Sequence, residues 1–200
     1  MRKKIKIIIF DLGGVVVHGG YLEFIGQYCL NCLTSAGHKK ILKLEHDVNL
    51  GKISEADFYR QLQSVFGVHL TAKRMHDLIL EKMQPNKLLL KILAKLKKSK
   101  IVMFTNSIGH IAQEALGKGR KPLKSFFGHV FDSTKIHLAK PDAKAFQYIL
   151  KKMKVKPQES LFVDDRLENI IAARKIGMNG IVYKSASQFK KTLKSWTLAN

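Results

Sequence analysis

Long apolar runs alternate with stretches of helical periodicity along the chain. The runs Ile5–Phe10, Ile101–Phe104 and Leu161–Val163 are almost uninterrupted, which is typical of parallel strands covered by helices on both faces. From Lys100 onward strand-like and helix-like segments alternate, and this order predicts right-handed crossovers. The pattern therefore predicts an α/β fold with a parallel sheet flanked by helices.

A helical segment interrupts this alternation after the first strand. Residues 13–20 form a β-like segment between glycines, which predicts a flap and hinge. From Tyr21 to about Gln84 the apolar residues recur at helical spacing. We therefore predict a small all-helical cap inserted after the first strand. The predicted domains are the cap at residues 20–84 and the core at residues 1–19 and 85–200.

Several helix boundaries can be predicted within this scheme. Ser54 with Asp57 three residues later is typical of a helix start, and Pro85 suits the first turn of a helix to about Lys98. A final lysine-rich helix is expected at Gln188–Trp196, with its apolar residues on the sheet. The positions expected to face inward in three cap helices are Leu22, Ile25, Cys29, Ile41, Leu44, Val48, Phe58, Leu62 and Phe66.

The composition is that of a strongly basic globular protein. With 200 residues and 46% hydrophobic composition the chain can bury a sizeable core, and its formal net charge is +21. Such a field attracts phosphorylated metabolites and, without base specificity, nucleic acid. The alternative is that the evenly spread lysines only solvate helix faces. Arginine, which reads bases best, is scarce.

Membrane and redox features are sparse in this sequence. No apolar stretch approaches the roughly 20 residues that a bilayer span needs, and the first apolar run ends in Asp11, as a strand would and a signal peptide would not. Cys29 and Cys32 form a CxxC pair without a second pair to complete a zinc site. We therefore expect a reduced, cytoplasmic protein without a membrane partner, as a monomer or homodimer.

Polar groups suited to phosphate chemistry follow the apolar runs. Asp11 comes directly after the first run, where a carboxylate can act as nucleophile or metal ligand; the alternative is a turn aspartate. Asp164 and Asp165 follow another run, and their mutual repulsion favours a bound Mg²⁺. The alternative there is a solvated loop paired with Arg166. Because parallel strands end at one edge, we expect these groups to meet.

Two further groups join this set. Thr105 and Asn106 end the second run and offer a hydroxyl and an amide to anionic oxygens, unless they are an ordinary helix cap. Lys140, before Pro141 and a predicted helix, supplies a point charge. Its position between the other motifs distinguishes it from the many other lysines.

The order and spacing of these motifs resemble the haloacid dehalogenase superfamily, from about Lys4 to Tyr183. The resemblance implies a Rossmann-like core, and within the superfamily it is nearest to the branch with a bacterial glucose-1-phosphate phosphatase and the phosphatase half of soluble epoxide hydrolases. The motifs that carry it are Phe10-Asp11-Leu12-Gly13-Gly14-Val15, Gly51-Lys52-Ile53-Ser54, Lys140-Pro141-Asp142 and Phe162-Val163-Asp164-Asp165 with Asn169.

This resemblance implies a role for each matching residue. Asp11 would attack phosphorus, Thr105 and Asn106 would hold the phosphoryl oxygens, and Lys140 would balance the charge. The implied Mg²⁺ ligands are Asp11, the carbonyl of Gly13 and Asp165, with Asp164 assisting through water and Asn169 orienting Lys140 or the acidic pair.

One position departs from the superfamily's pattern. Gly13 stands where most of its phosphatases have a second aspartate that protonates the leaving oxygen. General acid catalysis contributes roughly 10²–10⁴ in rate, so its loss should slow turnover or restrict the enzyme to good leaving groups. His18 on the flap is a candidate substitute, the alternative being an ordinary loop histidine. Ala139 also stands where relatives often carry a basic residue.

Three functions are compatible with these residues. The first is a Mg²⁺-dependent phosphatase for a small phosphorylated metabolite, such as a sugar phosphate, through an aspartyl-phosphate intermediate. The second is a 2-haloacid dehalogenase, against which the retained Asp164 and Asp165 argue because a haloacid needs no metal cage. The third is a weakly active or inactive domain of this type that binds nucleic acid or another polyanion.

Overall fold

The computed structural model describes residues 3–29, 34–117 and 122–198. Its strands are β1 (Lys3–Ile5), β2 (Ile7–Phe10), β3 (Val17–His18), β4 (Gln84–Pro85), β5 (Ile101–Thr105), β6 (His129–Asp132), β7 (Ser160–Asp164), β8 (Asn179–Val182) and β9 (Trp196–Leu198). Its α-helices are α1 (Tyr21–Tyr28), α2 (Ser35–Asn49), α3 (Glu55–Phe66), α4 (Ala72–Lys82), α5 (Lys87–Leu93), α6 (Ile111–Gly117), α7 (Ser133–Ile136), α8 (Ala143–Met153), α9 (Leu167–Lys175) and α10 (Ala186–Leu193).

The central sheet of the described residues contains five parallel strands in the order β6-β5-β2-β7-β8. Strand β2 lies in the middle, where Ile9 pairs with Val102 of β5 and with Phe162 of β7. Every residue of β2, β5 and β7 is buried, as the uninterrupted apolar runs predict. The predicted α/β fold with a Rossmann-like parallel sheet is confirmed.

Alternate residues of the central strand face opposite helical layers. Ile8 and Phe10 belong to one apolar cluster, in which the Phe189 ring of α10 lies 5.3 Å from that of Phe10. Ile9 belongs to the cluster on the other face, together with Phe146 of α8. The sheet is therefore shielded from water on both faces, and polar groups reach solvent only at its edges and strand ends.

Four helices, α1 to α4, lie between β3 and β4 in the described part of the chain, and we call them the helical insertion. Their apolar side chains, among them Phe24 and Phe58, form one cluster that also includes Ile108, Ile111 and Ala115 of the core. Helix α3 begins at the predicted place, because the Ser54 and Asp57 side chains form a capping box. The division into two domains at the stated boundaries stays a prediction.

A two-stranded ribbon connects the insertion to the rest of the fold. Strand β3 pairs antiparallel with β4, with Val17 opposite Pro85. The chain therefore enters and leaves the helical insertion through two adjacent strands. Gly19 has a φ of 71°, and a Cβ there would lie 2.3 Å from the carbonyl oxygen of Lys82. Glycine is therefore required at this turn. The β-like segment expected in this region forms one half of the ribbon.

Some element boundaries differ from those predicted. Pro85 belongs to β4, and α5 begins only after Asn86, whose side chain accepts a hydrogen bond from the Leu89 N–H at 3.2 Å. Helix α10 ends at Leu193, because Trp196 starts a strand that pairs in parallel with β1. Periodicity along one helix carries no information about a strand pairing with the other end of the chain.

Several expectations lie beyond what the described residues test. Cys29 is buried in the insertion, but Cys32 lies outside the described residues. Cys29 is disulfide-bonded, so the expected reduced state is wrong for this residue. The cytoplasmic location and the monomeric or homodimeric state stay predictions. Among the described helices we find no segment with both the length and the apolar character that a membrane span requires.

A histidine bridges the insertion and the core beside the sheet edge. His76 Nδ1 of α4 lies 2.5 Å from Glu55 Oε1 of α3, and its Nε2 lies 3.2 Å from Glu114 Oε1 of the core helix α6. Glu55 also accepts the His110 backbone N–H at 3.1 Å. Burial lowers the pKa of His76, but the two carboxylates outweigh it, so the pKa lies above its ordinary value.

We expect this cluster to make stability depend on pH. Because the folded pKa of His76 is raised, its stabilisation is full below the unfolded pKa of about 6.5 and disappears as pH rises through the folded pKa. Thermal unfolding of wild type and His76→Gln should therefore differ more at pH 6 than at pH 9, by roughly 1 kcal/mol. His69→Gln, at an exposed histidine, is the control. Parallel pH curves for wild type and His76→Gln would contradict the prediction.

Candidate active site

Three carboxylates meet at the carboxyl edge of the sheet. Asp11 follows the last residue of β2, Asp164 ends β7, and Asp165 comes next in the chain. One oxygen from each lies within 4.8 Å of the others. Thr105 ends the neighbouring β5, as expected for parallel strands whose ends share one edge.

Lys140 lies at the centre of this cluster. Its Nζ is 2.7 Å from Asp11 Oδ1 and 2.9 Å from Asp164 Oδ2, and its side chain is only 2% exposed. The Phe104 and Phe162 rings flank it, with centroids 5.4 and 5.7 Å from Nζ. Burial lowers the pKa of Lys140, but the two aspartates outweigh it and raise the pKa above its ordinary value. The lysine is therefore charged.

Asn106 places Lys140 through its backbone. The Asn106 Nδ2 donates to the Lys140 carbonyl oxygen at 2.9 Å, and its Oδ1 accepts the Lys140 N–H at 2.9 Å. The side chain predicted to hold phosphoryl oxygens thus clamps the loop that carries the lysine. Thr105 is buried and donates to the Asn106 carbonyl, and α6 begins only at Ile111, so neither residue is an ordinary cap of that helix.

Asp164 is fully buried and saturated with donors. Its Oδ1 accepts the Arg166 N–H at 2.9 Å and the Asn169 Nδ2 at 3.0 Å, and its Oδ2 accepts from Lys140 and, at 3.1 Å, from Asn169. Asn169 thus contacts Asp164, and its role in orienting Lys140 or the acidic pair stays a prediction. The Arg166 side chain pairs instead with Glu168, with Nε and Oε1 2.7 Å apart, so the solvated Asp–Arg alternative is wrong.

Asp11 and Asp165 keep oxygens free. Asp11 Oδ1 accepts the Leu12 N–H at 2.7 Å and faces Lys140, whereas Oδ2 has no hydrogen-bond partner among the described residues. Burial above all, together with Asp164 and Asp165, raises the pKa of Asp11 to about 7 against the opposing effect of Lys140. Burial and Asp164 also raise the pKa of Asp165. The Asp165 carboxylate forms no hydrogen bond or ion pair with another described side chain.

This arrangement fits a hard divalent cation. Two carboxylates with free oxygens lie beside a third, and burial raises the pKa of Asp11 despite the opposing effect of Lys140. A bound cation would favour the charged forms of these carboxylates. Carboxylate oxygens of this kind are the ligands that Mg²⁺ prefers. Asp11 and Asp165 would hold the ion directly, and Asp164 would assist through water or by orienting these two ligands.

A cleft of about 360 Å³ opens above the cluster. Gly13 borders the cleft, and a Cβ built there meets no atom within 4 Å. His18 is exposed and does not border the described cleft, so it is poorly placed as the acid substitute. The core contributes Asp11, Thr105, Asn106, Lys140, Asp165, Arg166, Asn169, Ile108 and Ile111, and the insertion contributes Tyr21, Leu22, Glu23, Glu45, Asn49, Ile79 and Met83.

The sequence pattern missed the residues of the insertion that line this cleft. Leu22 was assigned to the interior of α1 but is 68% exposed and borders the cleft. Glu45 and Tyr21 showed no distinguishing signal, because a polar residue in a helical pattern reads as solvated. A helix wheel does not show which face lies over a neighbouring site.

A parallel sheet with a buried acidic cluster beyond its strand ends, covered by a helical insertion, defines a class of capped α/β hydrolases. Residues 5–177 match the profile of the haloacid dehalogenase-like hydrolase family. The chain belongs to this family, and the prediction of a hydrolase is confirmed at that level. The narrower branch that the motifs resemble stays a prediction.

Three relatives at the sequence level match over different lengths, and two of them are named phosphatases. The chain is 25% identical over 207 residues to D-ribitol-5-phosphate phosphatase of Bacteroides thetaiotaomicron, covering 94% of this chain and 97% of the relative. It is 40% identical over 55 residues to sesquiterpene phosphatase of Aspergillus oryzae, and 30% identical over 69 residues to drimenol cyclase of Aspergillus calidoustus. Those two matches span only 28% and 13% of the relatives' lengths.

Solved structures share the fold at low identity. A haloacid dehalogenase family enzyme of Bacteroides thetaiotaomicron superposes with a TM-score of 0.75 at 18% identity, over 96% of this chain and 99% of that one. The same enzyme in complex with magnesium and inorganic phosphate matches with a TM-score of 0.69 at 19% identity, over 90% and 95% of the two chains. At these identities the likeness shows the fold alone.

Proposed function

We propose that this hydrolase is a Mg²⁺-dependent phosphatase that acts on a small phosphorylated metabolite. The observation that carries the proposal is the pairing of Asp11 with a buried Lys140 beside the free carboxylate of Asp165. A dianionic phosphoryl group needs this combination of positive charge and nucleophile, because phosphoryl transfer depends on positioning and electrostatic stabilisation.

The reaction proceeds in two displacements at phosphorus. The Asp11 carboxylate attacks phosphorus, the bond from phosphorus to the alcohol oxygen breaks, and the leaving oxygen takes a proton from solvent water. Water then attacks the phosphorus of the aspartyl-phosphate and loses a proton to solvent, the bond from phosphorus to the Asp11 oxygen breaks, and inorganic phosphate leaves with the carboxylate regenerated. Lys140 and Thr105 face the cleft where the phosphoryl oxygens would lie, and Asn106 keeps Lys140 in place.

The Mg²⁺ ion supplies positive charge that screens Asp11 from the incoming phosphate. Asp11, Asp165 and the Gly13 carbonyl would hold it, with Asp164 and Asn169 fixing their orientation. Support comes from the free oxygens of Asp11 and Asp165 and from the magnesium and phosphate complex of the Bacteroides enzyme. We propose a sugar or polyol phosphate as the substrate class, because one relative is named D-ribitol-5-phosphate phosphatase.

The proposal is tested with a panel of phosphorylated metabolites and p-nitrophenyl phosphate, with Mg²⁺ or with EDTA. We expect turnover that requires Mg²⁺, with the aryl ester hydrolysed readily because its good leaving group needs little protonation. Hydrolysis of 2-haloacids without metal would favour the dehalogenase alternative. No turnover, together with salt-sensitive nucleic-acid binding, would favour the polyanion-binding alternative.

Replacing Gly14 by alanine should damage the metal site selectively. A Cβ at Gly14 would lie 2.2 Å from Asp165 Oδ2, and the φ of 69° is unfavourable for alanine. We expect the displaced carboxylate to weaken Mg²⁺ binding, measured by calorimetry, by about 10–100-fold. Gly13→Ala is the matched control because its Cβ meets nothing within 4 Å. Equal affinities in two folded variants would show that the crowding has no effect.

A further inference from the structure

The part of the cleft above the acidic cluster is mostly apolar, with the carboxyl groups of the partly buried Glu45 and the exposed Glu23 among the apolar side chains. Leu22, Ile79 and Met83 of the insertion and Ile108 of the core border it. Glu45 of α2 borders the same space. A substrate whose phosphoryl group sits at Asp11 must place its alcohol portion against these residues, because the cleft is continuous.

The Glu45 carboxyl group is partly buried, and no cationic side chain contacts it among the described residues. Burial raises the pKa of Glu45, and Tyr21, Arg166 and His38 oppose this effect. Glu45 forms no ion pair within 4.0 Å with any described residue, and Arg166 is engaged by Glu168. A partly desolvated carboxyl group of this kind gains by accepting hydrogen bonds from a ligand.

The Tyr21 hydroxyl lies next to the Glu45 carboxyl group. Its hydroxyl oxygen is buried and makes no hydrogen bond of normal geometry in the described structure. Burial raises the pKa of Tyr21, and the nearby Glu45 carboxyl group raises it further. The Tyr21 ring packs on Phe58, with centroids 5.9 Å apart, which fixes its position. Because this hydroxyl is inaccessible, Tyr21 cannot hydrogen-bond a substrate through it, whereas the Glu45 carboxyl group offers acceptor oxygens at the cleft.

We propose that Glu45 determines substrate specificity by accepting a hydrogen bond from a hydroxyl group on the alcohol portion of the substrate. This inference rests on the proposed phosphatase function and narrows it. The apolar residues pack against the carbon skeleton, and the carboxyl group selects hydroxylated skeletons over bare alkyl chains. The substrate class is therefore the phosphate monoester of a polyol or sugar with an uncharged alcohol portion, since Glu45 repels a second anionic group.

Three substrates separate this role from other roles of Glu45. A pentitol 5-phosphate carries hydroxyl groups, n-pentyl phosphate has the same five carbons without them, and p-nitrophenyl phosphate has a good leaving group. In wild type, kcat/KM should favour the pentitol ester over the pentyl ester. In Glu45→Leu this ratio should fall by roughly 10–100-fold, as expected for one hydrogen bond to a charged group. Glu45→Gln keeps one acceptor oxygen, so its ratio should fall less.

The control variant is Glu81→Leu, which removes an exposed carboxylate of the insertion that does not border the cleft and should leave the ratio unaltered. If Glu45→Leu lowers kcat/KM equally for the pentitol and pentyl esters but keeps p-nitrophenyl phosphate hydrolysis, Glu45 acts as a general acid. That result would overturn the proposal. An equal loss on all three would identify a structural role and overturn it too. If wild type hydrolyses none of the three, the phosphatase proposal fails first, so the two failures are distinguishable.

Discussion

Asp11→Asn is expected to reduce hydrolysis of every phosphate ester by at least about 10⁴-fold. The amide oxygen is a poor nucleophile and cannot form the aspartyl-phosphate. The substitution also removes one of the two anionic partners of Lys140, whose Nζ lies 2.7 Å from Asp11 Oδ1 and 2.9 Å from Asp164 Oδ2. The effect should appear in kcat at saturating Mg²⁺ with p-nitrophenyl phosphate, because chemistry and not binding is lost.

The fold should survive this substitution. Asparagine has nearly the same shape, its Oδ1 still accepts the Leu12 N–H, and one of three crowded carboxylates becomes neutral. Circular dichroism and thermal unfolding should therefore match or exceed wild type in EDTA. Acid quenching and mass spectrometry should detect a phosphorylated peptide with Asp11 in wild type alone. Retained turnover in Asp11→Asn would exclude this carboxylate as the nucleophile.

Lys140→Met should affect activity and stability together. Removing the ammonium leaves Asp164 fully buried and Asp11 buried without their cation, which costs roughly 3–5 kcal/mol when one partner of a buried pair is lost. Turnover should fall by about 10²–10³-fold, since the positive charge aimed at the phosphoryl group disappears. Methionine keeps an unbranched apolar stem, so packing against Phe104 and Phe162 is largely preserved.

Urea unfolding with and without Mg²⁺ measures this prediction. Because a divalent cation also offsets the carboxylates, Mg²⁺ should restore more stability to Lys140→Met than to wild type. Lys144→Met, at an exposed lysine four residues later, is the control and should stay within about 0.5 kcal/mol of wild type. If both variants have the same free energy of unfolding, Lys140 does not stabilise the acidic cluster.

The strands and the strand-end residues could be predicted because their signals are local. An uninterrupted apolar run such as Ile101–Phe104 is stable only when both faces are covered, and this requirement alone indicates a parallel sheet. Asp11, Thr105 and Asp164 follow such runs, so the sheet brings them to one edge without further information.

Contacts between distant segments could not be predicted in this way. Trp196 forms a strand because β1 offers it backbone partners almost 200 residues away in sequence. Asn106 borders the cleft, and its expected contact with phosphate stays a prediction. No sequence pattern indicates that both ends of its amide also bind the backbone of Lys140, because that contact depends on the position of a second segment.

The amino-acid sequence by itself determined the sheet, the insertion's helical character and the acidic residues at the strand ends, because burial of apolar runs and helical periodicity are properties of short segments. Only the tertiary structure decided that Asp164 is saturated while Asp165 is free, and that Glu45 lies over the same cleft as Asp11. Hydrogen-bond partners and cleft walls depend on how separate elements pack, and packing geometry is not encoded in the pattern of any one element.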